Sequence, residues 1–179
     1  MRRRARGEPT PAPIHDARGL LLQELRTALR VELTLADETL PGVLDSVRSA
    51  DLLQCVERHL VETREQARDL RALLTHLEEP ATPAEESPAL AALTAERDAL
   101  LRALPAEDDT LRDLVHAAAL AQVEHHELAT YTSLVHLAQA LGLGTEVATP
   151  LRELLEQEAH ALEQVEHAVV KLLAEKIEA

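Results

Sequence analysis

Aromatic residues are almost absent from this sequence, which has one Tyr, no Phe and no Trp among 179 residues. A hydrophobic core therefore has to be built from Leu, Ala and Val side chains. Five Gly residues leave few tight turns, which argues against a fold of many short strands. The single cysteine, Cys55, excludes an internal disulfide framework and a zinc site built from several Cys residues.

Long apolar runs are also missing, because no stretch approaches the roughly 20 residues that span a bilayer. The N-terminus is positively charged but lacks the apolar segment of a secretory signal. We therefore expect a cytoplasmic protein without a membrane anchor. The formal net charge is -14, so the folded part should repel phosphate groups and bind no nucleic acid.

Leu, Ala, Glu and Arg dominate what is present, and all four are strong helix formers. The composition predicts an all-α protein. Residues 1–15 differ from the rest, since they hold four Arg and three Pro without hydrophobic periodicity. We expect a disordered basic arm there, either a solvated tail or a contact for an acidic partner or DNA, followed by a helical domain over 16–179.

Capping residues and prolines divide this domain into four long helices and one short helix. Pro-rich residues 80–88 form a linker. Asp16, Ser49, Ser87 and Asp108 or Asp109 are suitable N-caps, and Thr149 with Pro150 is expected to start the last helix. The predicted ranges are 16 to about 39, with a possible continuation past a kink at Pro41, then 50–79, 87–104, 109–141 and 150 to near the end.

This order predicts two long helical hairpins joined by a linker and a short helix. Short turns within each hairpin favour a four-helix bundle. The long crossover between the hairpins is typical of ferritin-like bundles rather than of simple up-and-down bundles.

Each long helix carries a glutamate on or beside its apolar stripe, near the middle of the helix. Glu32, Glu124 and Glu158 are in phase with the stripes of the first, third and fourth helices. On the second helix His59 lies on the stripe and Glu62 lies beside it, while Glu127 follows on the flank of the third helix. Buried carboxylates need counter-charges, so their convergence predicts a dinuclear iron or manganese site. In a Glu-rich chain, chance phase or pairing with Arg remains the alternative.

Four segments carry a resemblance to a known family. The strongest is QVEHHELATYTSLVHLAQALGL at 122–143, supported by HLVETREQ at 59–66. Weaker matches are LRELLEQEAHALEQV at 151–165 and ELRTALRVEL at 24–33. Together they resemble the YciE/YciF-type ferritin-like family over about residues 20–170.

The resemblance implies a ferritin-like four-helix bundle that forms homodimers, a dinuclear metal centre and a link to bacterial stress responses. Two features depart from this pattern. The sequence contains no Glu-x-x-His pair, which many di-iron bundles use, and Leu162 stands where the family has an acidic residue.

Two functions follow from these observations. In the first, iron or manganese serves oxidant defence, with a possible di-iron oxidase or peroxidase activity, or metal handling. Its metal ligands are expected among Glu32, Glu62, Glu124, Glu127, Glu158, His59 and His125, with Glu127 bridging and the two histidines either binding or orienting ligands. In the second, the chain is a non-enzymatic helical dimer or adaptor whose metal site is degenerate or lost.

Overall fold

The computed structural model describes residues 13–105 and 107–178, and every regular element within them is helical. The predicted arm lies mostly outside this range, because only residues 13–15 of it are described. The elements in chain order are α1 (Ala17–Thr34), a π-helical segment (Leu35–Thr39), α2 (Leu40–Ser46), α3 (Ala50–His76), α4 (Pro88–Ala103), α5 (Asp109–Ala140) and α6 (Thr145–Glu178).

Four of these helices form a bundle. Helix α1 packs against α3 and α5, and α6 packs against the same two helices from the other side. Helix α4 lies in the crossover between α3 and α5 and packs on α5 from outside the bundle. The all-α bundle of two hairpins with an extra helix in the crossover is thus confirmed. None of the described helices has the length and apolar character needed to cross a bilayer.

The predicted N-caps hold the starts of four helices. Asp16 accepts a hydrogen bond from the amide of Gly19 at 2.7 Å, and Asp108 accepts one from Leu111 at 3.0 Å. Ser49 and Ser87 cap α3 and α4 in the same way. These bonds satisfy amides that the first turn of a helix leaves without partners.

Three helix boundaries differ from the sequence prediction. The first helix widens into the π-helical segment just before Pro41, whose missing amide hydrogen interrupts a regular α-helix. Helix α3 ends at His76, because Glu78 adopts a left-handed conformation with φ of 60°. Helix α6 begins at Thr145, not at Pro150, since burial of Val147 and Ala148 favours an extra turn despite the proline inside the helix.

The core consists of two apolar clusters separated by a polar layer. One cluster contains Leu25, Leu29, Leu70, Leu134 and Leu151 among its members. The other cluster, toward the opposite end of the bundle, is built from residues such as Leu35, Leu40, Leu52, Leu120 and Val165. Between them lie the buried polar side chains of the four long helices, which we call the polar layer: Glu32, His59, Thr63, Gln66, Glu124, Glu127 and Glu158.

Asp113 joins the start of α5 to the turn between α2 and α3. Its side chain is buried and accepts hydrogen bonds from the backbone amides of Arg48, at 3.1 and 3.2 Å, and Ser49, at 2.6 Å. The sequence analysis missed this residue. The helical spacing does indicate that Asp113 is buried, because it lies four residues before Ala117 on the buried stripe of α5.

We predict that Asp113→Ala lowers the free energy of unfolding by about 2 kcal/mol, because two backbone amides in the turn lose their acceptor. Asp113→Asn keeps one carbonyl acceptor and should lose less. Urea unfolding of the full chain followed by circular dichroism measures both. A loss below about 0.5 kcal/mol for Asp113→Ala would show that water replaces the carboxylate at this turn.

Candidate metal centre

Three carboxylates from three different helices meet in the polar layer. Glu32 of α1, Glu127 of α5 and Glu158 of α6 each offer an oxygen atom, and these oxygens lie within 4.8 Å of one another. All three side chains are buried. We call these three residues the carboxylate cluster. Their apolar flanks explain the meeting, because the leucines before and after each glutamate pack into the two apolar clusters.

Two neutral side chains donate hydrogen bonds to the carboxylate cluster. The Tyr131 hydroxyl donates to Glu32 Oε1 at 2.5 Å, and Gln66 Nε2 donates to Glu158 Oε1 at 2.6 Å. Both donors are buried. Each leaves the second oxygen of its carboxylate free and fixes the orientation of the group. These donors therefore position the cluster without neutralising its charge.

A fourth buried carboxylate, Glu124, lies next to the cluster and is paired with a histidine. His59 Nε2 is 3.0 Å from Glu124 Oε1, and both side chains are almost completely buried. Burial alone would lower the pKa of His59, but the Glu124 carboxylate outweighs it, and the pKa of the imidazole is raised. Helix α3 thus contributes the imidazole of His59 and the side-chain amide of Gln66 to the layer.

Many carboxylate oxygens in this layer have no hydrogen-bond partner within the described part of the chain. Apart from Glu124 Oε1, which faces His59, five oxygens are in this condition: Glu32 Oε2, Glu124 Oε2, both oxygens of Glu127, and Glu158 Oε2. Buried polar atoms are nearly always satisfied in proteins, so such a concentration calls for a ligand. An oxygen-rich donor set with one imidazole suits iron or manganese. The residues present therefore fit a metal site.

Burial of several like charges changes the acidity of the cluster. Burial raises the pKa of Glu32 to about 7, while the hydrogen bond from Tyr131 opposes a larger rise. The pKa values of Glu127 and Glu158 are raised well above the usual range, first by burial and then by the negative charges of neighbouring glutamates. Without a cation, the cluster is therefore protonated to a large extent near neutral pH.

The seven predicted metal ligands differ in their position relative to the polar layer. Glu32, Glu127 and Glu158 form the carboxylate cluster, and the His59–Glu124 pair lies close enough for the Glu124 charge to raise the pKa of Glu32 and of Glu158. Glu62 is half-buried at its edge, and its charge contributes to the raised pKa of Glu158. His125 is not brought into the layer: its side chain is 63% exposed and its Nε2 lies 3.9 Å from Glu166 Oε1.

Two polar side chains that contact the carboxylate cluster were missed in the sequence. Neither was among the predicted site residues. Tyr131 is completely buried and its hydroxyl contacts Glu32, while Gln66 is buried and contacts Glu158. In both cases the sequence signal is a polar group at a core-facing position one helical turn after a glutamate. Gln66 follows Glu62 by four residues, and Tyr131 follows Glu127 by four residues.

Comparison with known proteins identifies the family of this chain. Residues 16–178 match the family described as a domain of unknown function, DUF892. The chain belongs to the DUF892 family. This match and the structural neighbours below confirm the YciE/YciF-type resemblance. No curated protein sequence gives a significant match to the chain.

Solved structures share the DUF892 architecture described above. YcfI from Rhodopseudomonas palustris is 27% identical, with a TM-score of 0.80 over 86% of this chain and 94% of that one. The E. coli stress protein YciF is 23% identical, with a TM-score of 0.76 over 89% and 98% of the two chains. A protein from Xanthomonas campestris is 23% identical, with a TM-score of 0.64 over 90% and 99%. The last two similarities show the shared fold.

We predict that Glu127→Gln makes the chelator-treated protein more stable than wild type at alkaline pH. A carboxyl group whose pKa is raised on folding contributes stability below its unfolded value, and this stability is lost as the pH rises through the folded pKa. The variant cannot ionise at this position, so its advantage should grow from pH 5 to pH 8. Urea unfolding at several pH values measures the difference.

The exposed Glu163→Gln is the control for this comparison, because its side chain is 83% exposed. Its stability relative to wild type should change with pH much less than that of Glu127→Gln, because solvent screens the exposed side chain and its contact with His160. The buried His116, whose pKa is lowered to about 4 mainly by burial, titrates equally in all three proteins and cancels in the differences. If the difference in unfolding free energy between Glu127→Gln and wild type stayed constant from pH 5 to pH 8, it would contradict the raised pKa of Glu127.

Proposed function

We propose that the polar layer binds two divalent transition-metal ions, iron or manganese, and that the bundle serves oxidant defence or metal handling. The observation that carries this proposal is the carboxylate cluster, in which oxygens of Glu32, Glu127 and Glu158 approach within 4.8 Å of one another while no Lys or Arg of residues 13–105 and 107–178 forms an ion pair with them. Metal ions are the usual solution where several buried carboxylates converge.

Charge balance supports two ions rather than one. Glu32, Glu124, Glu127 and Glu158 carry four negative charges when ionised, and two divalent ions supply four positive charges. One ion would leave about two buried charges uncompensated, each costing several kcal/mol. His59 is the nitrogen donor of the layer, and it would have to be neutral to bind a metal.

Each residue has a defined part in this proposal. Glu127 has two unpaired oxygens and is the bridging candidate. Glu32 and Glu158 each offer one free oxygen, while the bonds from Tyr131 and Gln66 hold their other oxygens in place. Glu62, at the edge of the layer, is the outer carboxylate. His125 takes no part, because it faces away from the layer.

When iron is bound, it would supply electrons to dioxygen or peroxide at open coordination positions. The chain itself excludes bulk water through the two apolar clusters and places a proton on the Tyr131 hydroxyl beside Glu32. The description of E. coli YciF as a stress protein favours a protective role here, by family relationship. Homodimer formation and contact of the basic arm with an acidic partner stay predictions.

Metal analysis of the purified full chain tests this proposal directly. After chelator treatment and anaerobic reconstitution with Fe(II) or Mn(II), we predict about two ions per chain. Glu127→Ala and Glu158→Ala should each lower this number to about one or less, because each removes a carboxylate that two ions share or need. Inductively coupled plasma mass spectrometry after desalting measures the stoichiometry.

Two matched pairs of variants control for indirect effects. His59→Ala should weaken metal retention whereas His125→Ala should not, although both remove one imidazole. Likewise Glu163→Ala should behave as wild type. If the wild-type chain retains less than one ion, the metal function is wrong and the non-enzymatic helical module becomes the better description.

A further inference from the structure

A narrow crevice between α1 and α5 leads from the surface to the carboxylate cluster. Its mouth is formed by Thr27, His126 and Thr130, which are all partly exposed. Its inner end is formed by Glu127 and Tyr131, which are both buried. The crevice therefore brings partly exposed side chains next to Glu127, whose two oxygens have no hydrogen-bond partner among the described residues.

The space inside this crevice is small. It measures about 10 Å³, at the lower limit for one water molecule. The inner walls carry the small side chains of Ala28 and Val31, which leave this gap open where larger residues would close it. An entering cation would have to give up most of its water shell at the mouth.

Polar atoms at the mouth can replace part of that water shell. The Thr27 hydroxyl already accepts a hydrogen bond from Gln23 at 3.4 Å, and the Thr130 hydroxyl donates to the carbonyl of His126 at 3.0 Å. Each hydroxyl oxygen keeps a free lone pair. Among the described residues that line the crevice there is no Lys or Arg, so none of them opposes the field of the buried carboxylates at the entrance.

Two larger grooves between α3 and α6 offer other approaches to the bundle. They have volumes of about 260 and 360 Å³. Neither groove is lined by a carboxylate-cluster residue, and the first is backed by Leu73 and Leu154. In the second, the charges of Arg58 and Lys171 offset those of Asp51 and Glu163, so the groove offers cations no net negative charge. Size alone would favour these grooves, but neither reaches the cluster.

We propose that the α1–α5 crevice is the entry route for divalent metal ions to the carboxylate cluster, with Thr27, His126 and Thr130 forming its entrance. This inference rests on the metal function proposed above. It adds that the side chains at the entrance set the rate of loading and not the number of ions bound.

The rate of Fe(II) uptake by the chelator-treated full chain tests the route. Iron is added without oxygen, a colorimetric iron chelator traps the free ion at increasing times, and the bound fraction is recorded. Thr27→Trp should slow uptake roughly tenfold or more by covering the entrance. Thr130→Trp covers the facing wall and should have the same effect, which keeps the test usable if one variant fails to fold. His126→Ala widens the entrance and should speed uptake.

Ala72→Trp is the matched control, because Ala72 is exposed and lines the first α3–α6 groove. It should load at the wild-type rate. All variants should reach the wild-type stoichiometry after long incubation, and circular dichroism verifies that each is folded.

The outcomes separate the two proposals. If wild type retains no iron, the metal function fails and the entry route fails with it. If wild type binds iron but the rates of the entrance variants are unchanged, the route alone is wrong. Slow uptake by Ala72→Trp would place the entry between α3 and α6 instead. A lower final stoichiometry in folded Thr27→Trp would also overturn the inference, since the entrance would then be part of the binding site.

Discussion

Repulsion among carboxylates inside one dry cross-section is the constraint on which this structure depends. Glu32, Glu124, Glu127 and Glu158 come from three helices and share a space with little water. Such groups are stable there only when they hold protons or a cation. The bundle therefore links its own stability to the chemical state of its centre, which makes the centre sensitive to pH and to metal supply.

The two apolar clusters make this arrangement possible. Leucines above and below the polar layer bury enough surface to hold the four helices together while the layer between them remains unfavourable. The buried glutamates of α1, α5 and α6 are tolerated in the middle of their helices because apolar neighbours fix each helix on both sides. Because the apolar clusters supply the stability, the bundle remains folded although carboxylate oxygens of the described polar layer lack hydrogen-bond partners.

Much of the fold and part of the centre could be predicted from the sequence. N-cap residues such as Asp16 and Ser49 act locally, so the starts of the four helices with predicted caps at Asp16, Ser49, Ser87 and Asp108 were correct, and the phase of Glu32, Glu124 and Glu158 pointed to the core. Phase on one helix does not give the width of its buried face. Glu127 was therefore placed on a flank although α5 buries it, and His125 was chosen although it faces solvent. Likewise Pro150 suggested a helix start, because the burial of Val147 depends on tertiary packing.

The scarcity of aromatic residues has a consequence for how the centre can be observed. Tyr131 is the sole Tyr in a chain without Trp, and its hydroxyl contacts Glu32. Nearly all near-ultraviolet absorption and intrinsic fluorescence of this protein must therefore originate beside the buried carboxylates. The chain thus carries a built-in optical reporter, free of background from other rings, for any change in charge or occupancy at its centre.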